Sequence, residues 1–255
     1  MEALRVEHLS KNFGGVQALQ DVSFSVESGE KLAIIGPNGA GKTTLFNVLN
    51  GQLSATAGRV YLFGQEITTM ATHRRAHLGQ ARSFQLTSLF PNLTILDNTL
   101  LALQGIKPSR FQMFRPIIAY KHLFVRAEEL LGSMALWGKR DEPVQAISYG
   151  EQRKMEIALS LASEPKLLLL DEPSTGLTAA ESADVINMLR NLGLGITVLV
   201  VAHDMDLVFG LAGRIIVLHY GQIIAEGTPE EIQAHPRVKE IYIGIEEGTE
   251  DAGAS

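Results

Sequence analysis

Residues 36–44 read Gly-Pro-Asn-Gly-Ala-Gly-Lys-Thr-Thr, a G-x-x-x-x-G-K-T pattern with Gly36, Gly41, Lys42 and Thr43 in the fixed places. Glycines let a backbone bend tightly and bring its N–H groups against phosphate oxygens. Lys42 would then reach the β- and γ-phosphates of a nucleoside triphosphate, and the Thr43 hydroxyl would ligate Mg²⁺. Pro37, Asn38, Gly39, Ala40 and Thr44 complete the loop around the anion. A chance glycine-rich turn is the competing reading, and the flanks weigh against it. Leu32-Ala33-Ile34-Ile35 precedes the loop, and Leu45, Val48 and Leu49 follow at i, i+3, i+4. The loop therefore joins a strand to a helix, whose N-terminus adds a field favourable to anions.

Two further groups have the right chemistry and sit at the ends of similar segments. The apolar run Leu167-Leu168-Leu169-Leu170 ends in Asp171-Glu172. Such a run fits a strand buried on both faces, and its carboxyl end is where ligands bind in open α/β sheets. Two carboxylates placed there are costly unless a cation or a proton is involved. Asp171 would hold Mg²⁺ through water, and Glu172 would orient or deprotonate an attacking water. A helix-capping pair is the alternative. It is weakened by Pro173 and by the later capping box, Thr178-Ala179-Ala180-Glu181, that opens the next helix. A second buried run, residues 196–201, ends at His203-Asp204. A lone histidine is usually structural, but this one closes a strand as Asp171 does and could face the same crevice.

The elements that must position these groups follow from the patterning. Residues 4–9 read as a strand, residues 10–15 as a turn, and residues 22–26 as a half-buried strand of period two. Residues 58–64 form another strand between glycines, residues 72–78 a short polar helix, and residues 82–85 a strand ending at Gln85. From residue 86 strand signals stop, and helical stripes cover residues 93–104 and 122–136. This reads as a helical insertion in an α/β domain. Ser148-Tyr149-Gly150-Glu151 opens a helix whose apolar positions Met155, Ala158, Leu159 and Ala162 share a face, with Pro165 closing it. Ser148 could be only an N-cap, or Ser148 and Gly150 could present donors to an anion. Residues 214–219 and 222–225 pair as a hairpin about Tyr220-Gly221, and residues 229–234 and 237–242 are short helices. The acidic tail, residues 246–255, has the composition of a disordered segment.

Composition narrows the class. The chain has 255 residues, 45% hydrophobic and 20% charged, enough for one large domain or a domain with an insertion. It has no cysteine, which excludes disulfides, thiolate metal sites and a cysteine nucleophile. The N-terminus lacks the apolar core of a signal peptide, and no apolar run approaches the roughly 20 residues needed to cross a bilayer. A cytoplasmic protein is expected, with any membrane attachment made through a partner. A net charge of −6 argues against a general nucleic-acid binder. Between Asn98 and Ala127 no acidic residue occurs, while Lys107, Arg110, Arg115, Lys121 and Arg126 interleave with Phe111, Phe114, Tyr120 and Phe124. This is either a solvated basic face or a docking surface for an acidic partner loop or anionic headgroups.

Taken together, the motifs resemble an ATP-binding cassette (ABC) ATPase over nearly the whole chain. Residues 36–43 resemble the Walker A motif and LLLLDEP the Walker B motif with its glutamate. ISYGEQ lies where that family has its LSGGQ signature, Gln85 where it has the Q-loop, and His203 where it has the switch histidine. Within the family the similarity is to ATP-binding subunits of branched-chain amino-acid importers, carried by ARSFQLTSLFPNLTILDN, SYGEQRKMEIALSLASEP, AHDMDLVFGLAGRIIVLHYGQIIAEGTPEEI and VKEIYIG. The resemblance implies a P-loop fold with a parallel core sheet, an N-terminal antiparallel β subdomain and an inserted helical subdomain. The expected bounds are 1–245 for the ATPase domain, about 86–165 for the insertion and 246–255 for the tail.

The implied mechanism is that two cassettes close head to tail on two ATP molecules. Lys42, Thr43 and the loop backbone hold phosphate and Mg²⁺, with Asp171 and Gln85 also at the metal. Ser148 and Gly150 of the opposite copy cap the γ-phosphate, Glu172 is the general base, His203 contacts the γ-phosphate, and Phe13 stacks on adenine. Read on its own, Phe13 is first a partly buried turn aromatic, the usual fate of such a residue. The implied partners are a second cassette, identical or not, membrane permeases at the cytoplasmic face, and indirectly an extracellular substrate-binding protein. Tyr149 and Glu151 depart from LSGGQ, and Thr178 stands where many members have the D-loop aspartate. Related cassettes import urea, amides or aromatic acids, and exporters and lipid-extraction systems use the same engine.

Overall fold

The computed structural model describes residues 1–83, 89–105, 120–193 and 195–241. The strands form two sheets. The first is antiparallel, in the order β2-β1-β4-β5, from β1 (Glu2–Phe13), β2 (Val16–Glu27), β4 (Ala57–Leu62) and β5 (Gln65–Glu66). The second has six strands in the order β10-β9-β3-β8-β7-β6. Its members are β3 (Lys31–Ile35), β6 (Gln80–Arg82), β7 (Leu167–Asp171), β8 (Thr197–Val201), β9 (Arg214–His219) and β10 (Gln222–Gly227). All its pairings are parallel except the β9–β10 hairpin at one edge.

The wholly apolar strands are explained by layering. In β7, Leu168 and Leu170 join one core, while Leu167 and Leu169 join another on the opposite face. Strands β3 and β8 divide in the same way, Ala33, Ile35, Val198 and Val200 on one side and Leu32, Ile34, Leu199 and Val201 on the other. Side chains alternate across a strand, so a sheet covered on both faces needs apolar residues at every position.

The face of Leu167 and Leu169 is covered by α1 (Lys42–Leu49) and the antiparallel sheet, with α2 (Thr72–His77) nearby. The face of Leu168 and Leu170 is covered by α3 (Ile95–Gly105), α4 (Lys121–Ser133), α5 (Tyr149–Leu161), α6 (Ala179–Arg190) and α7 (Met205–Leu211), while α8 (Pro229–Ala234) closes the β9–β10 edge. Residues 236–241 are also helical.

Most elements match the expected ones, but the N-terminal strands are longer. The turn expected over residues 10–15 is confined to Gly14-Gly15, because β1 runs on through Phe13 and β2 starts at Val16. Polar Ser10, Lys11 and Asn12 suggested a loop. Backbone pairing overrides that preference, with Lys11 opposite Leu19 and Asn12 opposite Gln17. Strand β6 is shifted to Gln80–Arg82, two residues ahead of its expected start. Gln85, Lys107, Arg110, Arg115, Phe111, Phe114 and the acidic tail lie outside the described residues.

Candidate functional site

The phosphate loop is fixed by two close approaches. Gly36 has a φ of 153°, and a Cβ there would stand 2.1 Å from the Leu218 carbonyl oxygen of β9. Gly41 has a φ of 103°, and its Cβ would stand 2.6 Å from the Ala18 carbonyl oxygen of β2. Both positions exclude a side chain, so the loop is pressed between two strands. Gly41 is also the N-cap of α1 and supplies no side-chain cap, and the first turn carries no acidic residue. Among the described residues no side-chain anion caps the leading amides of α1, the arrangement that receives phosphate.

Lys42 is buried and donates to the carbonyls of Gly36 (2.5 Å) and Pro37 (2.9 Å), which bends its ammonium back over the loop. Burial pushes its pKa down, and the carboxylates of Glu172 and Asp171 oppose that shift. An ammonium disfavoured by desolvation gains most when a polyanion arrives. A cavity of about 390 Å³ lies over this loop, walled by Thr43, Thr44, Glu172 and, from the other strands, Val16, Ala18 and Tyr220.

Asp171 and Glu172 leave the end of β7 in opposite ways. Asp171 is still in the strand, opposite Val201 of β8, and is 2% exposed. Glu172 turns out of it with a φ of 47°, while its N–H donates to the Val201 carbonyl at 2.8 Å. A left-handed bulky residue is uncommon and marks a constrained site. Its Oε1 is 3.4 Å from Nδ1 of His203, and its Oε2 accepts from the Thr175 hydroxyl at 3.1 Å. A second cavity, about 790 Å³, is lined by Gly36, Pro37, Asn38, Ala40, Glu172 and His203 together. Three segments far apart in the chain therefore share one crevice at the carboxyl ends of β3, β7 and β8.

The other expected residues are placed as follows. Phe13 ends β1 half exposed, its ring 4.9 Å from the Lys11 ammonium, opposite Val16 in the ladder. It lines neither cavity; Val16 walls the first and Tyr220 both. Ser148 caps α5 in a capping box with Glu151, whose carboxylate also pairs with Lys139 at 2.7 Å. Gly150 is buried, and a Cβ on it would meet Glu181 Oε1 at 2.3 Å. Tyr149 packs over Gly176, whose Cβ would stand 3.0 Å from its ring. Thr178 caps α6 with Glu181. Neither Ser148 nor Gly150 lines the crevice of its own chain. In the basic stretch, Tyr120 is buried, Phe124 packs against the core, and Arg126 pairs with Glu129 and Glu164.

Sequence reasoning missed three arginines, Arg75 and Arg153 buried and Arg82 half-buried. Arg75 spends its guanidinium on the carbonyls of Val48, Leu49, Met70 and Thr68, closing the C-terminus of α1. Burial pushes its pKa down to about 10. Arg153 on α5 pairs with Glu156 at 2.6 Å and donates to the carbonyls of Asp171, Glu172 and Pro173. Arg82 bonds Asp171 itself. In the sequence each reads as an ordinary surface cation.

A model of the family described as ABC transporter matches residues 19–175. The chain belongs to the ABC transporter family. A second model, described as branched-chain amino acid ATP-binding cassette transporter, matches residues 222–248 of this cassette. Over 242 residues the cassette is 38% identical to a probable ABC transporter ATP-binding protein of Azorhizobium caulinodans, covering 93% of this chain and 82% of that protein. It is 35% identical to the high-affinity branched-chain amino acid transport ATP-binding proteins LivG of Salmonella typhimurium and BraF of Pseudomonas aeruginosa, in each case over 94% of this chain and 97% of the other. Among solved structures, the ADP conformation of the cassette MJ1267 shares 34% identity with a TM-score of 0.85, covering 96% of this chain and 99% of that one. A dimeric post-hydrolysis state of the cassette MJ0796 bound to ADP and Pi shares 26% identity with a TM-score of 0.73, covering 89% and 98%. The fold is the expected P-loop cassette, and its activity is ATP hydrolysis coupled to transport. No described helix is long and apolar enough to cross a membrane.

Proposed function

We propose that this cassette is the ATP-hydrolysing subunit of an importer for branched-chain or related amino acids. The match over residues 222–248 and the LivG and BraF relatives support that substrate class. The observation that carries the mechanism is the crevice in which the phosphate loop, Glu172 and His203 meet. Bound ATP lays its phosphates on the α1 amides and Lys42, and its γ-phosphate lies toward the Glu172–His203 pair. Glu172 orients the attacking water and takes its proton, while His203 steadies Glu172 and contacts the γ-phosphate.

Thr43 and Asp171 would hold Mg²⁺, a hydroxyl and a carboxylate being the oxygen ligands that ion takes. One hydroxyl and one carboxylate are too few for a cage of protein ligands, but suffice for an ion that keeps water and bonds to phosphates. Gln85 is the further residue expected at the metal, and Mg²⁺ held there would supply neutralisation of phosphate charge. Phe13 would stack on the adenine, next to its ladder partner Val16, which walls the first cavity. Ser148 and Gly150 serve a second cassette, because they do not face their own crevice, so two copies close on two ATP molecules. Membrane permeases at the cytoplasmic face would read that closure, and an extracellular binding protein would deliver the amino acid. The division into an ATPase domain over 1–245 with a helical insertion over about 86–165 is part of this reading.

Glu172→Gln tests it. ATP affinity should stay within a few-fold, turnover should fall by about 10²–10⁴-fold, and gel filtration with ATP should show a trapped dimer. Undiminished phosphate release would remove Glu172 from its role. Reconstituting the cassette with its permeases and measuring leucine uptake tests the substrate class.

A further inference from the structure

Asp171 carries a carboxylate that is almost wholly buried, and such a group needs a cationic or hydrogen-bonding partner. Its partner is Arg82, at the end of the neighbouring strand β6, where Arg82 stands in register with Leu169. The Arg82 Nη2 donates to Asp171 Oδ2 at 2.8 Å, and the side chains are 8% and 2% exposed. Nothing among the described residues donates to Oδ1. The pair is held from its far side as well. Arg82 Nη1 donates to Asn47 Oδ1 at 2.7 Å and to Gln52 Oε1 at 2.9 Å. Asn47 belongs to α1, the helix that begins at the phosphate loop, and Gln52 follows that helix.

We propose that Arg82 is the positioning residue of the metal carboxylate, clamping Asp171 through Oδ2 so that Oδ1 is left for the cation beside the phosphate loop. This rests on the reading of Asp171 as a metal-binding carboxylate. The clamp has three acceptors, so Arg82 cannot swing away when a second cation approaches. The planar guanidinium suits that task, since it forks between acceptors where an ammonium is a point charge. It also ties the carboxylate to α1, so the metal side and the phosphate side of the site move as one unit. The other face of Arg82 borders a groove of about 320 Å³, together with Ser83, Phe90, Leu101 and Glu156.

The test is equilibrium binding of ATP to the full chain, by calorimetry, in EDTA and in saturating Mg²⁺. The readout is the Mg²⁺-dependent gain in affinity. Asp171→Asn is the control for the underlying reading: if it keeps the whole gain, Asp171 is not the metal carboxylate, whatever Arg82 does. With that control losing the gain, Arg82→Met should lose at least tenfold of it while affinity in EDTA stays within about twofold. Arg82→Lys should fall between, and Arg82→Met added to Asp171→Asn should cost nothing more. A full Mg²⁺ gain in Arg82→Met, or an equal loss in EDTA, overturns the proposal. Should Arg82→Met fail to fold, Asn47→Ala with Gln52→Ala removes the two anchors and leaves the ion pair. That variant should lose two- to fivefold of the gain, and an unchanged gain would equally overturn the clamp.

Discussion

The phosphate loop and the Asp171–Glu172 turn lie against each other but are held by different means. The loop is a backbone device. Gly36 and Gly41 are squeezed against the carbonyls of Leu218 and Ala18, and nothing but glycine fits. The turn is a side-chain device. Arg153 grips three successive carbonyls of it and Arg82 grips its carboxylate. A backbone cradle needs consecutive residues and leaves a motif. A clamp of long side chains can be assembled from anywhere in the chain and leaves none.

Substitutions can break each half of this contrast. Gly36→Val should have the largest effect, because the added Cβ has no room beside the Leu218 carbonyl and the φ is hostile to a branched side chain. ATP affinity should fall more than 100-fold by calorimetry; near-normal binding would show that the loop tolerates displacement. Arg153→Met comes next. It leaves the Glu156 carboxylate buried with its partner gone and three carbonyls without their donor. Breaking such a pair costs about 3–5 kcal/mol, measurable by urea unfolding, and Glu156→Gln should cost less because the carbonyl contacts survive.

Arg75→Met removes the donors that close the C-terminus of α1, and should destabilise by about 2–3 kcal/mol at those carbonyls. ATP binding should suffer less than stability, since the phosphate end of α1 is untouched. A stability change below 1 kcal/mol, on the order of a single net hydrogen bond, would mean that water replaces the guanidinium there.

The smallest effect expected is at Asp204, the N-cap of α7 beside His203. Burial alone would raise its pKa, but hydrogen bonds from Ser174, the Leu207 amide, Ser182 and the Asp206 amide outweigh that and hold it below its ordinary value. Its stabilisation is therefore present above the unfolded carboxylate pKa and is lost as pH falls through the lower folded value. Asp204→Ala should cost about 1 kcal/mol at pH 7, and the gap to the parent chain should narrow below about pH 4. A gap independent of pH would show that the cap works without its charge.

Much of the fold could be read residue by residue. The four-leucine run of β7 marked a strand covered on both faces because alternation across two cores demands it. Thr178 and Ser148 marked helix starts because a capping box is local chemistry. Lys11 and Asn12 misled, since a ladder partner fifteen or fewer residues away can hold polar residues in a strand, and local propensity does not record the partner. Gly36 to Thr44, Asp171, Glu172 and His203 were nominated from type and context, and the structure gathers the loop, Glu172 and His203 on one crevice. Val16 and Tyr220 at the cavity wall were not, because one follows a turn and the other tips a hairpin, and only packing brings them to the loop.

By itself, the sequence determined that a glycine loop would open a helix, and that carboxylates and a histidine would stand at the ends of buried strands. Those facts follow from backbone geometry and period, which are set within a few residues. Tertiary structure alone decided that Glu172 and His203 would lie 3.4 Å apart, that Gly150 would be covered by Glu181, and that Arg82 would close on Asp171 across 89 residues of chain. Each of these depends on the order in which parallel strands are laid into the sheet, and strand order is fixed by the packing of whole layers.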